Sequence, residues 1–368
     1  MFSRTMELQR IPIVNGTPAA AAALGLAMWL GGCRSPSPPA PTGFQAASFP
    51  CRQVRVLGSG AGEDSLSWEG GADAALEEWC AGVGPALIYR PEAHPPAAAR
   101  LEDLLVVTWT VHGGGGDIDA FLEDLRGGRL GVSAPGAFVL LLQEVFRGGS
   151  DVPPFPVAGF KGGSRVAPEL VHREAQSIGE VARRNGLYLL YVPSMRNGGP
   201  GDPPEDRGNA LLSTVPLTDL EAFVLPMERQ RRVAVAARIP LMAGTASDSV
   251  MRVVNLHLDP RSSWGEFHRS FGAGRSDQAR ALVARYGSEP LAIFGGDLNT
   301  WVRGTKEGAV RILSEALSEP SLRRNSATVH GPGPLPDLAL DHLVLRLPKG
   351  MTADYSVVSH SYGSDHHP

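Results

Sequence analysis

The sequence predicts an α/β domain made of mixed β-sheets with helices on the outside. Strand-like segments outnumber helical ones roughly two to one, and many follow one another with no helix between. That order excludes a doubly wound parallel sheet. Residues 137–142 form a continuous apolar run, the mark of a strand covered on both faces. Of 368 residues, 43% are hydrophobic and 20% charged, with a formal charge of −4. This is enough apolar material for a large core, and it carries no excess of base that would suit a histone-like binder.

The elements follow in order. Arg4 and Arg10 precede an uncharged run over residues 19–32, shorter than the ~20 apolar residues of a membrane span, so it reads as a signal h-region. Its ending, Leu30-Gly31-Gly32-Cys33, resembles a bacterial lipoprotein signal. The resemblance implies removal of residues 1–32, lipidation of Cys33 and attachment to a membrane. Arg34 in place of an aspartate points to the outer membrane, with plain secretion as the alternative. Residues 33–50 are a Pro/Ser-rich tether. Residues 51–100 are a Gly/Ala-rich lead-in with a strand at 54–57 and a helical turn at 74–79. Once Cys33 is set aside, Cys51 and Cys80 remain, and an oxidising compartment would pair them.

From Leu101 the texture is that of the main domain, residues 101–368. Strands are expected at 104–111, 137–142, 187–192, 209–213, 233–239, 250–258, 291–295 and 340–345. Helices are expected at 118–125, 169–185, 277–286 and 307–317, where apolar residues recur at helical spacing. There are no internal repeats.

Polar residues sit at the ends of the buried strands. Gln143 and Glu144 end one; Asn255 and His257 share a face of another by the two-residue period. Asp297 and Asn299 follow Gly295-Gly296, glycines that would let backbone approach a ligand closely. Asp341-His342 opens a strand, and Asp365-His366-His367 lies near the end of the chain. This set suits phosphate-ester hydrolysis. A carboxylate is a hard ligand for Mg²⁺, a histidine beside an aspartate is a general base, and a second histidine and an amide stabilise phosphoryl charge. No Gly-x-Ser-x-Gly, Walker loop or His-Glu-x-x-His is present, and the run 113–116 lacks the Lys-Ser/Thr of a phosphate cradle.

In order along the chain stand Trp109-Thr110-Val111, Leu142-Gln143-Glu144 and Arg207-Gly208-Asn209. They are followed by Asn255-Leu256-His257-Leu258, Gly296-Asp297-Leu298-Asn299, Leu340-Asp341-His342 and Ser364-Asp365-His366-His367-Pro368. From about Leu104 to Pro368 the chain resembles the endonuclease/exonuclease/phosphatase superfamily, the group of deoxyribonuclease I and neutral sphingomyelinases. The resemblance implies a four-layer α/β/β/α sandwich and a metal-dependent phosphodiesterase, with Mg²⁺ as cofactor and Mn²⁺ or Ca²⁺ as alternatives. It implies Glu144 as metal ligand and Asp365 as an additional metal-site acid. Asp297 and Asn299 would orient the nucleophile and contact the phosphate, and His257 would act as acid or phosphate stabiliser. His366 would be the general base, with Asp341 as its paired carboxylate. His112, His342 and His367 flank these motifs and receive no role.

The chain departs from the pattern twice. Thr110 stands where the family has the asparagine of Trp-Asn-Val, and it lacks the amide donor. The chain stops at Pro368, where relatives continue into one more strand, so a fragment or a missing last strand is expected. The expected partner is a phosphodiester, nucleic acid slightly ahead of a phospholipid head group, acted on by a monomer. Against the nuclease, removal of residues 1–32 takes the formal charge from −4 to about −5, with arginine pairs 183–184, 231–232 and 323–324 scattered along the chain. The reading from another class is a catalytically weak lipoprotein that keeps the fold as a binding module, for which Thr110 is the motive.

Overall fold

The computed structural model describes residues 50–58, 65–70, 74–92, 96–131, 133–155, 175–228, 230–242, 250–260, 273–300, 307–317, 327–330 and 337–368. The expected signal, Cys33 and all of the tether before Pro50 lie outside the described residues.

Two six-stranded mixed sheets stack face to face. In chain order the strands are β1 (Val54–Leu57), β2 (Ser67–Glu69), β3 (Ala86–Tyr89), β4 (Leu104–Thr110), β5 (Ala137–Gly148) and β6 (Tyr188–Asn197). Then come β7 (Glu205–Ser213), β8 (Thr218–Val224), β9 (Val233–Pro240), β10 (Val250–His257), β11 (Ala292–Asp297) and β12 (Asp341–Arg346). One sheet runs β1-β3-β6-β7-β5-β4 and the other β12-β11-β10-β9-β8-β2. Parallel pairs (β4 with β5, β10 with β11) sit beside antiparallel ones such as β5 with β7 and β11 with β12. The segment expected as a lead-in supplies β1 and β3 to one sheet and β2 to the other.

The helices are α1 (Ala74–Cys80), α2 (Ile118–Arg126), α3 (Ile178–Asn185), α4 (Ala273–Tyr286) and α5 (Gly308–Leu317). Asp117 starts α2 by accepting the Ala120 N–H at 3.0 Å, which satisfies one of the free donors of a first turn. Ile118, Phe121, Leu122 and Leu125 then form its buried stripe. The described part of the helix expected at 169–185 begins only at Ile178, because Ser177 is extended. It ends at Gly186, whose left-handed conformation lets its N–H reach the Ala182 and Arg183 carbonyls.

Three apolar clusters define the layers. Val139, Leu141, Leu190 and Leu211 of one sheet meet Val235, Val253 and Ile293 of the other. The alternate residues of the first sheet, Leu140, Leu142 and Leu212, pack on α2 and α3. Those of the second, Val254, Leu256 and Phe294, pack on α4 and α5. Because strand side chains alternate faces, both faces of the central strands are covered. The architecture is therefore the four-layer α/β/β/α sandwich. Cys51 and Cys80 are joined by a disulfide, with Cα atoms 4.9 Å apart. Among the described residues no helix is long and apolar enough to cross a membrane.

Gly296 has φ of 151°, and a Cβ there would stand 1.7 Å from the Leu256 carbonyl oxygen. A Cβ on Gly295 would meet Leu343 and Leu141 within 3 Å. These glycines answer to strand and sheet packing; the close approach expected for a ligand is taken up by neighbouring strands.

Candidate active site

The polar residues gather at one end of the sandwich because strand register puts them there. His257, Asp297 and Asp341 occupy one row across β10, β11 and β12. In the other sheet Thr110 stands beside Gln143. Between Leu142 and Val145 the register of β5 against β7 shifts, and Glu144 sits in that bulge with φ of 54°. A bulge re-aims a side chain, and a positive φ outside glycine stores strain of the kind that collects at functional sites. His112 and Asn299, with φ of 50° each, share that strain at the same end.

His366 Nδ1 lies 2.7 Å from Asp341 Oδ2. The Asp341 side chain is 1% exposed, and Thr110 Oγ1 lies 3.1 Å from its other oxygen. Burial alone would lower the His366 pKa, but the charges of Asp341, Asp297 and Asp365 outweigh it and push it up to about 10. Burial would raise Asp341; the His366 charge and the bonds from His366, Thr328 and Thr110 hold it below the usual carboxylate range. The two form a buried ion pair at neutral pH.

The neighbouring contact differs in kind. His257 Nε2 lies 3.3 Å from Asp297 Oδ2, but both groups shift against ionisation. Burial, then Arg232, His366 and Arg207, push His257 well down. Burial, then the Asp341 charge, push Asp297 up to about 7 against the pull of His366, the Asn299 N–H and Arg232. Burial thus holds the His257 ring against protonation, with the Asp297 carboxyl 3.3 Å away. Asp297 Oδ1 accepts the Asn299 N–H at 2.7 Å, and the Asn299 amide donates to the Leu258 carbonyl at 2.9 Å.

Glu144, Arg207, Asn209, Arg232 and His257 line a shallow pocket. Glu144 Oε2 is 3.9 Å from Arg207 Nη1, and its side chain is 21% exposed. Asp365 is turned to His112 Nδ1 at 2.5 Å and is half exposed. Among the described residues no three His, Cys, Asp or Glu side chains are placed to hold a metal ion together. The donor chemistry still fits a strongly hydrated ion, since Mg²⁺ takes one or two carboxylates and keeps several waters; Glu144 is the carboxylate that faces the pocket. His342 is buried against Thr300 Oγ1 at 3.0 Å and the Ala339 carbonyl at 3.1 Å. The ring of His367 reaches the Val358 carbonyl at 3.1 Å.

Arg232 was not legible as a site residue. It is 4% exposed and 3.8 Å from Asp259, and it adds positive charge beside Glu144 and Asp297. The only signal in the sequence is an arginine pair just before a strand. The contact of His112 with Asp365 was not foreseen either.

A sequence model described as "Endonuclease/Exonuclease/phosphatase family" matches residues 74–366. The chain belongs to the endonuclease/exonuclease/phosphatase family. No curated protein sequence matches it. Among solved structures, an endonuclease/exonuclease/phosphatase from Beutenbergia cavernae is similar at 17% identity and TM-score 0.48, covering 71% of this chain and 69% of its own. The human Nocturnin catalytic domain is similar at 17% identity and TM-score 0.37, with 75% and 88% covered. Sphingomyelinase C from Streptomyces griseocarneus is similar at 15% identity and TM-score 0.33, with 72% and 96% covered. Thr110, the departure noted in the sequence, has its hydroxyl engaged inside the site.

Proposed function

We propose that the protein is a secreted, metal-dependent phosphodiesterase, and the buried Asp341–His366 pair beside Asp297, Asn299 and His257 is the observation that carries this reading. Asp341 holds the His366 ring by Nδ1 and leaves Nε2 for the proton of the attacking water. His366 must release its own proton before it can take another. Asp297, poised near 7, lies in the same field, so a proton leaving the site belongs to the group of Asp297, Asp341 and His366 rather than to one residue. His257, which lines the pocket, would contact the scissile phosphate, with Asn299 holding Asp297 beside it, and Arg207 and Arg232 would supply positive charge around it.

Glu144 would hold the metal, Mg²⁺ first and Mn²⁺ or Ca²⁺ as alternatives, with Asp365 as a second acid. The ion would polarise the phosphoryl oxygens and lower the proton affinity of the groups around it. Nucleic acid stands slightly ahead of a phospholipid head group as the substrate class. A lipidated Cys33 would tether a monomer to the outer membrane.

The test is Mg²⁺-dependent cleavage of plasmid DNA, bis-p-nitrophenyl phosphate and sphingomyelin by residues 34–368. His257→Ala and His366→Ala should each lower the rate by about 10²–10⁴-fold. If the parent chain and both variants share one background rate, the enzyme reading fails and the binding-module reading replaces it. Cys33→Ala should move the full chain out of the membrane fraction, and unchanged partitioning would reject the tether.

A further inference from the structure

Thr110 replaces a residue that carries an amide in the family pattern, yet its surroundings are not those of a lost contact. Its hydroxyl is buried, 3.1 Å from Asp341 Oδ1 and 3.2 Å from Gln143 Oε1. A threonine has one O–H to give, and the ionised carboxylate is the stronger acceptor. Gln143 is held from elsewhere: its Nε2 donates to Asn255 Oδ1 at 2.7 Å and to the Leu141 carbonyl at 2.8 Å, which fixes which end of the amide faces Thr110. The Asn255 amide is locked in turn by the Leu142 and Ala210 carbonyls at 2.8 Å each.

The backbone of Thr110 works on the other half of the pair. Its carbonyl accepts the Ser364 hydroxyl at 2.6 Å, and Ser364 Oγ accepts the His366 N–H at 3.1 Å. Trp109, one residue earlier, donates its indole N–H to the His366 carbonyl at 3.1 Å. The last residues of β4 thus hold Asp341 through the Thr110 hydroxyl, and the His366 loop through the Thr110 carbonyl and the Trp109 indole.

We infer that Thr110 is a positioning residue for the Asp341–His366 pair: its hydroxyl fixes the Asp341 carboxylate in the plane that presents Oδ2 to His366. The inference rests on the phosphodiesterase reading for its kinetic readout, and its geometric readout is independent of that reading. The position without an amide is thus re-employed on the Asp341 carboxylate instead of emptied.

The variants are Thr110→Val, which keeps the shape and removes the hydroxyl, and Thr110→Ser, which keeps the hydroxyl. Thr110→Val should lower kcat for bis-p-nitrophenyl phosphate about tenfold with KM within about twofold, the size of one bond to a charged group. Thr110→Ser should restore most of that rate. In an Asp341→Asn background, Thr110→Val should cost nothing further, because the group it acts on is already altered. The second readout is the low-field imidazole N–H resonance of His366 by NMR, assigned by its loss in His366→Ala. It should be present in the parent chain and Thr110→Ser, and shifted or broadened in Thr110→Val. An unchanged rate and resonance in Thr110→Val would overturn the inference, as would a full tenfold loss in the Asp341→Asn background. If the parent chain cleaves nothing but the resonance responds as stated, the phosphodiesterase reading fails and the positioning role stands.

Discussion

Asn255 ties the two sheets together in the buried core, and its removal has a calculable cost. The side chain is fully buried and comes from β10 of one sheet. Its amide donates to the Leu142 and Ala210 carbonyls of the other sheet, each at 2.8 Å, and its oxygen accepts Gln143 Nε2 at 2.7 Å. Leu142 and Ala210 are register partners at the margin of the Glu144 bulge, where the ladder is interrupted. Asn255 thus adds side-chain bonds at the last regular pair before the bulge. Gln143 Nε2 keeps the Leu141 carbonyl, so Asn255→Leu removes three side-chain bonds, at about 0.5–1.5 kcal/mol each. With similar bulk and no polar atom, the variant should therefore destabilise by about 2–4 kcal/mol. For a domain of this size that is a fall of roughly 10 °C in Tm. Urea unfolding followed by circular dichroism measures it, with Asn255→Ala as the cavity-forming comparison. A value within about 1 kcal/mol of the parent chain would refute the claim that these bonds join the sheets.

Three further outcomes follow from single sites. His342 is held near 4 by burial, whereas the unfolded imidazole titrates at about 6.5. The unfolded state therefore takes up the proton first, and stability should fall from about pH 6.5 down to pH 4 by about 3 kcal/mol in all; His342→Asn should flatten that part of the profile. The Cys51–Cys80 bridge, with a sequence separation of 29, should contribute about 3–4 kcal/mol by loop closure, so reduction or Cys51→Ser should lower the urea midpoint while the m-value changes little. Gly296→Ala would drive a Cβ to 1.7 Å from the Leu256 carbonyl and should prevent recovery of folded protein, whereas Gly350→Ala, with open space around it, should cost no more than about 1–2 kcal/mol from its positive φ; equal yields of the two variants would contradict the packing role.

What could be read from the sequence depended on how far each signal was local. The long central strands show as apolar runs because both faces are covered, so 137–142 is visible without any partner. β2 and β3 are three and four residues long, too short for a period to register, and β8 alternates only weakly between exposed and buried positions. The two-residue period placed Asn255 and His257 on one face, and the packing of Leu256 and Leu258 on the opposite face agrees. Arg232 was invisible for a different reason. A charged residue in a connecting segment reads as solvated, and only the approach of Asp259, Glu144 and Asp297 from distant parts of the chain makes it a buried site residue. The glycine pair at 295–296 misled in the same way, since its close neighbours belong to other strands.

The position of Thr110 shows why a departure from a family pattern is weak evidence of lost activity. A motif records which residue types usually stand at a place, whereas the chemistry depends on which atoms that place can reach. Thr110 stands at the end of β4, beside Gln143 in register and opposite Asp341 on the other sheet. Any short donor there meets the carboxylate that carries the His366 ring. The asparagine of the family pattern and the threonine of this chain are therefore not a strong and a weak version of one contact. They are two ways of using a site whose location is fixed by the meeting of two sheets. Here the position carries a hydroxyl bonded to Asp341 of the buried Asp341–His366 pair, and Glu144 keeps its strained place in the bulge. Strain of that kind persists only where the surrounding structure enforces it, and here it stands beside a buried ion pair at the same end of the sandwich.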